Sequence, residues 1–104
     1  MNFRGSLPLM VLYVLSKGSN HGYRIAQHIE SESDGFFNVK AGTLYPTLHS
    51  LEKQGVIDSY KDVENGREVR YYRLTSDGKK QLDTSLTEWD GHVSAVNRVL
   101  RSLK

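Results

Sequence analysis

A helix signature, a glycine stop and a basic hairpin follow one another without a linker in the middle third of this 104-residue chain, between Gly42 and Thr75. Leu44, Leu48 and Leu51 recur at helical spacing and Gly55 follows as a left-handed cap. A strand then begins at Val56-Ile57, turns at Asn65-Gly66 and returns through Arg67, Arg70 and Arg73. Asn-Gly between two strands signals a type I′ turn, because both central residues need positive φ. A two-residue turn there sets Glu64 opposite Arg67, Tyr60 opposite Tyr71, Asp58 opposite Arg73 and Ile57 opposite Leu74. Two opposite-charge pairs, one aromatic pair and one aliphatic pair support that register. A helix followed directly by a cationic ribbon implies an α+β fold of the winged helix-turn-helix kind. In that fold the helix enters a major groove and the ribbon lies along phosphates.

The flanking segments read as helices. Ser6 is expected to cap the first, with Pro8 in its first turn. Leu7, Met10, Val11, Val14 and Leu15 form one face, while Leu9, Leu12 and Tyr13 lie on the other. A short helix apolar on both sides is expected to be buried on both, the second side by a partner chain. Ser19 or Asn20 is expected to cap a second helix carrying Tyr23, Ile25, Ala26 and Ile29, which ends at Ser33-Asp34-Gly35. Phe37 and Val39 suggest a very short extended segment. The third helix is expected over about Ala41–Gln54, starting just before Pro46 because an interior proline loses a hydrogen bond. Thr75 or Ser76 caps the last helix, where Leu82, Leu86, Trp89, Val93, Val96, Leu100 and Leu103 recur at spacings of 4, 3, 4, 3, 4 and 3. That heptad stripe is too long for a small core to cover and predicts a dimer seam. The expected organisation is a DNA-binding winged helix over 1–75 and a dimerisation helix over 76–104, packed with the partner's first helix.

A formal charge of +2 does not by itself select a partner. Its distribution does: Arg67, Arg70, Arg73, Lys79 and Lys80 fall in one stretch with only Glu68 and Asp77 against them. With no cysteine there are no disulfides or thiolate metal sites, which fits a cytoplasmic protein. The apolar run Leu7–Leu15 is too short to span a bilayer, so no membrane role is expected.

On the third helix Lys40, Thr43, Thr47, Ser50 and Lys53 supply donors and acceptors on the outer face, as base recognition requires. Tyr45 and His49 can approach phosphates, whereas Tyr72 shares a strand face with Leu74 and belongs to the core. Arg67 and Arg70 stand near the hairpin tip. Lys61 sits beside Arg70, where two like charges favour an external anion. His21, His28, His49 and His92 lack the spacing of a helical metal site, so no metal or other cofactor is expected. No nucleophile elbow, phosphate loop or paired carboxylates indicate an enzyme. Trp89 lies in the middle of the heptad stripe, either as a core aromatic or as a stacking surface at the seam with Leu9 and Leu12 as walls.

Four segments resemble PadR-type transcriptional regulators: His21-Gly22-Tyr23-Arg24-Ile25, then Gly42-Thr43-Leu44-Tyr45-Pro46-Thr47-Leu48, then Leu51-Glu52-Lys53-Gln54-Gly55-Val56-Ile57, then the hairpin Gly66-Arg67-Glu68-Val69-Arg70-Tyr71-Tyr72-Arg73-Leu74-Thr75. A single last helix is similar to the compact subfamily. The resemblance implies a homodimeric repressor on a palindromic operator. It also implies an effector site for planar aromatic molecules between paired tryptophans, although the stripe here holds no acidic partner for a cation. Two rival readings are a multidrug-type sensor in which ligand binding is the main role, and a winged-helix module for protein–protein contact.

Overall fold

Asn65 and Gly66 hold φ of 53° and 76°, so both central residues of the hairpin turn are left-handed, as a type I′ turn demands. The computed structural model describes residues 3–102. In it the turn joins β2 (Ile57–Glu64) to β3 (Arg67–Leu74). All the expected cross-strand pairs are present, from Ile57 opposite Leu74 to Glu64 opposite Arg67. Before the hairpin come a 3-10 turn (Phe3–Ser6), α1 (Leu7–Ser16), β1 (Asn20–His21), α2 (Gly22–Glu32) and α3 (Ala41–Lys53). After it, α4 runs from Ser76 to Ser102. The sheet order is β1-β3-β2, all antiparallel.

The core is one cluster in which α1, α2 and α3 pack on the base of the hairpin. Val11, Ile25, Leu44, Leu48 and Ile57 are essentially inaccessible. Tyr72 is 2% exposed, which confirms its place in the core. The distal half of the hairpin leaves the core and becomes a free-standing wing. At 1.5 Å per residue the 27 residues of α4 span about 40 Å. Only Gly78 and Leu82, near its start, are buried.

Several expectations are corrected. Ser6 makes no side-chain capping hydrogen bond, and a 3-10 turn leads into α1 instead. Leu12 is buried in the chain's own core rather than on a second face, because α1 is rolled so that Leu7, Val11, Leu12 and Leu15 point inward. The cap of α2 is His21, whose Nδ1 accepts from the Arg24 amide at 3.2 Å. The extra extended segment is Asn20–His21, paired with Tyr72 and Tyr71, and not Phe37 to Val39. Pro46 lies well inside α3, past its first turn. Nothing crowds the position of a Gly42 side chain, so the glycine one turn back is not there to make room for a neighbour. Leu82, expected at a dimer seam, is 5% exposed within the single chain and belongs to its core. Leu86 also packs against that core. Leu103 lies outside the described residues.

Candidate nucleic-acid interface

The helix repeat turns Leu44, Leu48 and Leu51 to the core, and the opposite face of α3 must then meet solvent. Lys40, Thr43, Tyr45, His49, Ser50 and Lys53 are all exposed. Thr47 departs from its expected outward position. It is half-buried on the flank of α3, and its hydroxyl donates to the Thr43 carbonyl at 2.9 Å. The solvent face between these residues is completed by Gly42 and Pro46, which carry no side-chain donors. A flat, low-relief centre with polar residues around it permits close approach to base edges.

The wing stands beside this face. Pleating puts Ser59, Lys61, Arg70 and Tyr72 on the side of the sheet that continues the core, and Tyr60, Tyr71, Arg73 and Asp58 on the other. Arg70 therefore emerges next to α3. One open groove is lined by Tyr45 and His49 of α3, Tyr23 of α2, and Arg67 and Arg70 of the wing. Tyr45 reaches that groove across Gly22: a Cβ at Gly22 would lie 2.6 Å from the Tyr45 hydroxyl oxygen. Packing and surface presentation are thus combined at Tyr45, which is 40% exposed.

Two polar relays fix the wing. Arg70 donates to the Ser59 hydroxyl at 2.9 Å, and Ser59 donates to the Glu52 carboxylate of α3 at 2.6 Å. The guanidinium is thereby steered by α3 while remaining solvent-exposed. On the far side, Tyr71 donates to Glu64 at 2.6 Å and His21 Nε2 lies 3.6 Å from the same carboxylate. Glu64 is thus engaged by Tyr71 and His21 and makes no ion pair with Arg67, despite standing opposite it. Among the described residues Arg67 has no ion-pair partner. Lys61 pairs diagonally with Glu68 at 3.4 Å, which relieves its repulsion from Arg70. Arg73 is committed to structure. It bonds Asp58 at 2.6 Å and lies 5.0 Å over the Tyr60 ring, which stacks on Tyr71 at 5.7 Å. The hydrogen bond to Glu64 holds the Tyr71 phenol above its usual 10.0. Burial, then the charge of Glu52, does the same for Tyr72.

Away from this interface, Trp89 separates two grooves. One joins Trp89 to Leu9 and Leu12 and extends to Thr47 and Ser50 of α3. The other, more apolar, is lined by Leu9, Met10, Tyr13, Phe37 and Leu86. Beyond Trp89, α4 carries Val96, Val99 and Leu100 exposed to 41%, 63% and 69%. Among the described residues no His, Asp or Glu cluster could hold a metal ion, and no helix is long and apolar enough to cross a membrane.

Sequence reasoning overlooked the roles of His21, Ser59, Glu52 and Tyr23. Ser59 and Arg70 were accessible from the register plus alternation, which places them on one face. Glu52 needed the packing angle of α3 on the sheet.

The arrangement has close counterparts in known proteins. Residues 11–84 match the transcriptional regulator PadR-like family. A transcriptional regulator of Mycobacterium tuberculosis, Rv3488, is 35% identical over 76% of this chain and 71% of its own length. The negative transcriptional regulator PadR of Bacillus subtilis is 31% identical over 73% of this chain and 42% of its own. Among solved structures, a transcriptional regulator from Clostridium thermocellum superposes with a TM-score of 0.86 at 33% identity, covering 91% of this chain and 93% of that one. Bacillus subtilis PadR in complex with operator DNA superposes with a TM-score of 0.70 at 31% identity, over 77% of this chain and 46% of that one. With its winged helix-turn-helix fold and a family match covering most of its length, the chain belongs to the PadR-like family of transcriptional regulators.

Proposed function

We propose that the protein is a homodimer that binds a palindromic operator in double-stranded DNA and represses transcription. The observation that carries this reading is the groove in which exposed α3 residues Tyr45 and His49 meet Arg67 and Arg70 of the wing. In it, α3 enters the major groove and Lys40, Thr43, Ser50 and Lys53 face the bases and flanking phosphates. Thr47 contributes through its flank. Lys61, Arg67 and Arg70 neutralise phosphates along the wing. The segment 76–104 serves dimerisation, with Trp89, Val93, Val96 and Leu100 of α4 against the partner's first and last helices. Leu86 takes part from the edge of the core. Repression is inferred from the Bacillus subtilis relative, named a negative regulator. The test is titration of labelled duplex DNA at several salt concentrations with the wild type and an Arg67→Ala/Arg70→Ala variant. The variant should weaken all duplexes alike, and its log–log salt slope should fall by about 0.9 for each phosphate that the wing no longer neutralises. An unchanged slope would place the wing away from DNA. Failure of the wild type to bind duplex DNA in a salt-dependent way would favour a protein-contact module.

An effector role is supported by a separate observation: Trp89, Leu9 and Leu12 line one groove, and that groove touches Thr47 and Ser50 of α3. A planar aromatic molecule stacked on Trp89 would lie against the reading helix itself. Its effect on DNA would follow from a difference in affinity between two arrangements of that helix.

A further inference from the structure

We propose that the Thr75 hydroxyl is the joint through which the dimerisation helix sets the position of the reading helix, so that Thr75 is a positioning residue for half-site spacing. The inference rests on the DNA-binding homodimer described above.

A single oxygen makes both connections. Thr75 Oγ1 donates to the carbonyl of Gly55 at 2.7 Å and accepts from the amide of Gly78 at 3.0 Å. Gly55 is the left-handed residue that ends α3, with φ of 78°. Gly78 lies in the first turn of α4. The hydroxyl therefore caps α4 and holds the end of α3 with the same atom. The backbone repeats the tie, since the Thr75 amide donates to the Val56 carbonyl at 3.2 Å. Gly78 brings the two elements into direct contact: any Cβ there would collide with the Val56 carbonyl oxygen and lie 2.8 Å from Leu74 Cδ1. Gly55 and Val56, which join α3 to β2, and the first turn of α4 are thus fastened within a few residues of one another. Past Leu82, by contrast, α4 has no fully buried residue in its own chain, and only Leu86 packs against the edge of the core. A symmetric dimer in which α4 sets the subunit contact then fixes the separation of its two α3 helices through this joint. Half-sites one helical turn apart, about 34–36 Å, are matched only if that separation is rigid.

The test compares affinity for the operator with affinity for the same operator lengthened or shortened by one base pair between half-sites. Both bonds survive in Thr75→Ser, so the wild-type preference for native spacing should be kept. Thr75→Val removes both bonds at nearly constant shape. In Thr75→Asp the cap on Gly78 is retained, because a carboxylate accepts, but donation to Gly55 is impossible. Each of the last two variants should lower the ratio of affinities for native over altered spacing by about five- to tenfold or more, the scale of coupling between sites. The ratio is insensitive to any uniform effect of the added charge. Thr75→Asp keeps α4 capped, so it provides the result if Thr75→Val does not fold. Dimerisation, followed by sedimentation, should be unchanged in all three. A folded Thr75→Asp dimer with the wild-type spacing ratio would overturn the inference while leaving DNA binding intact. A wild type that binds no duplex, or binds as a monomer, would overturn the functional reading and this inference together.

Discussion

Leu100 separates a dimer seam from a solvated helix face. Its side chain is 69% exposed in the single chain, so replacing it by alanine removes little that holds the protomer together. Full burial of an exposed leucine contributes about 1.5–3 kcal/mol, and the exposed share of Leu100 corresponds to about 1–2 kcal/mol. A symmetric dimer contains the residue twice, which gives about 2–4 kcal/mol per dimer. At about 1.4 kcal/mol per tenfold, Leu100→Ala should raise the dimer dissociation constant by about 30- to 1,000-fold. Sedimentation equilibrium across nanomolar to micromolar concentration measures that constant. Thermal unfolding at a concentration where both proteins are monomeric should give the same midpoint for wild type and variant. Leu82→Ala is the contrasting case. That residue is already 5% exposed in one chain, so its loss should lower the unfolding midpoint directly. An unchanged dissociation constant for Leu100→Ala would refute the reasoning and leave the distal half of α4 without a partner.

Alkaline titration probes the base of the wing. Tyr71 and Tyr72 both have phenols raised above 10.0 in the folded chain, so the folded state holds these protons more tightly than the unfolded one. Their contribution is complete below pH 10 and should be lost as pH rises through the folded values. Tyr72→Phe should flatten the fall in denaturant midpoint above pH 10, and an equally steep fall in the variant would contradict this. For Trp89, planar aromatic dyes should quench tryptophan emission, since this is the sole tryptophan. Wild-type affinity for the dyes in Trp89→Ala would show that the stacking surface lies elsewhere.

How much of this was legible in the sequence depended on how local each feature is. The hairpin register followed from Asn65-Gly66, because a two-residue turn leaves one pairing that satisfies every cross-strand neighbour. The core face of α3 followed from three leucines at helical spacing. Roles set by tertiary packing were not legible. The roll of α1 sends Leu12 into the core, although periodicity put it on the opposite side with Leu9 and Tyr13. Glu64 stands opposite Arg67, yet Tyr71 and His21 take its carboxylate, since a phenol held on the adjacent strand reaches it at 2.6 Å. His21 replaces the more usual serine or asparagine cap, because β1 fixes it beside Tyr71 with Nδ1 toward the helix. The heptad stripe identified a helix with one apolar side. It did not show that the stripe changes owner along its length, from the chain's own core at Leu82 to an open surface at Leu100.

In the proposed complex α3 reads bases while the wing holds phosphates, twice over in a symmetric dimer. Selection of bound sequences from random duplex DNA by the wild-type protein tests it most directly. The expected result is enrichment of a palindrome whose half-sites are centred about 10–10.5 base pairs apart or a multiple of that spacing. In Thr43→Ala or Ser50→Ala the consensus should change at one or two positions per half-site, and in Arg67→Ala/Arg70→Ala it should stay the same while affinity falls. Recovery of an unpatterned pool, or of one asymmetric site unaffected by the α3 substitutions, would contradict it.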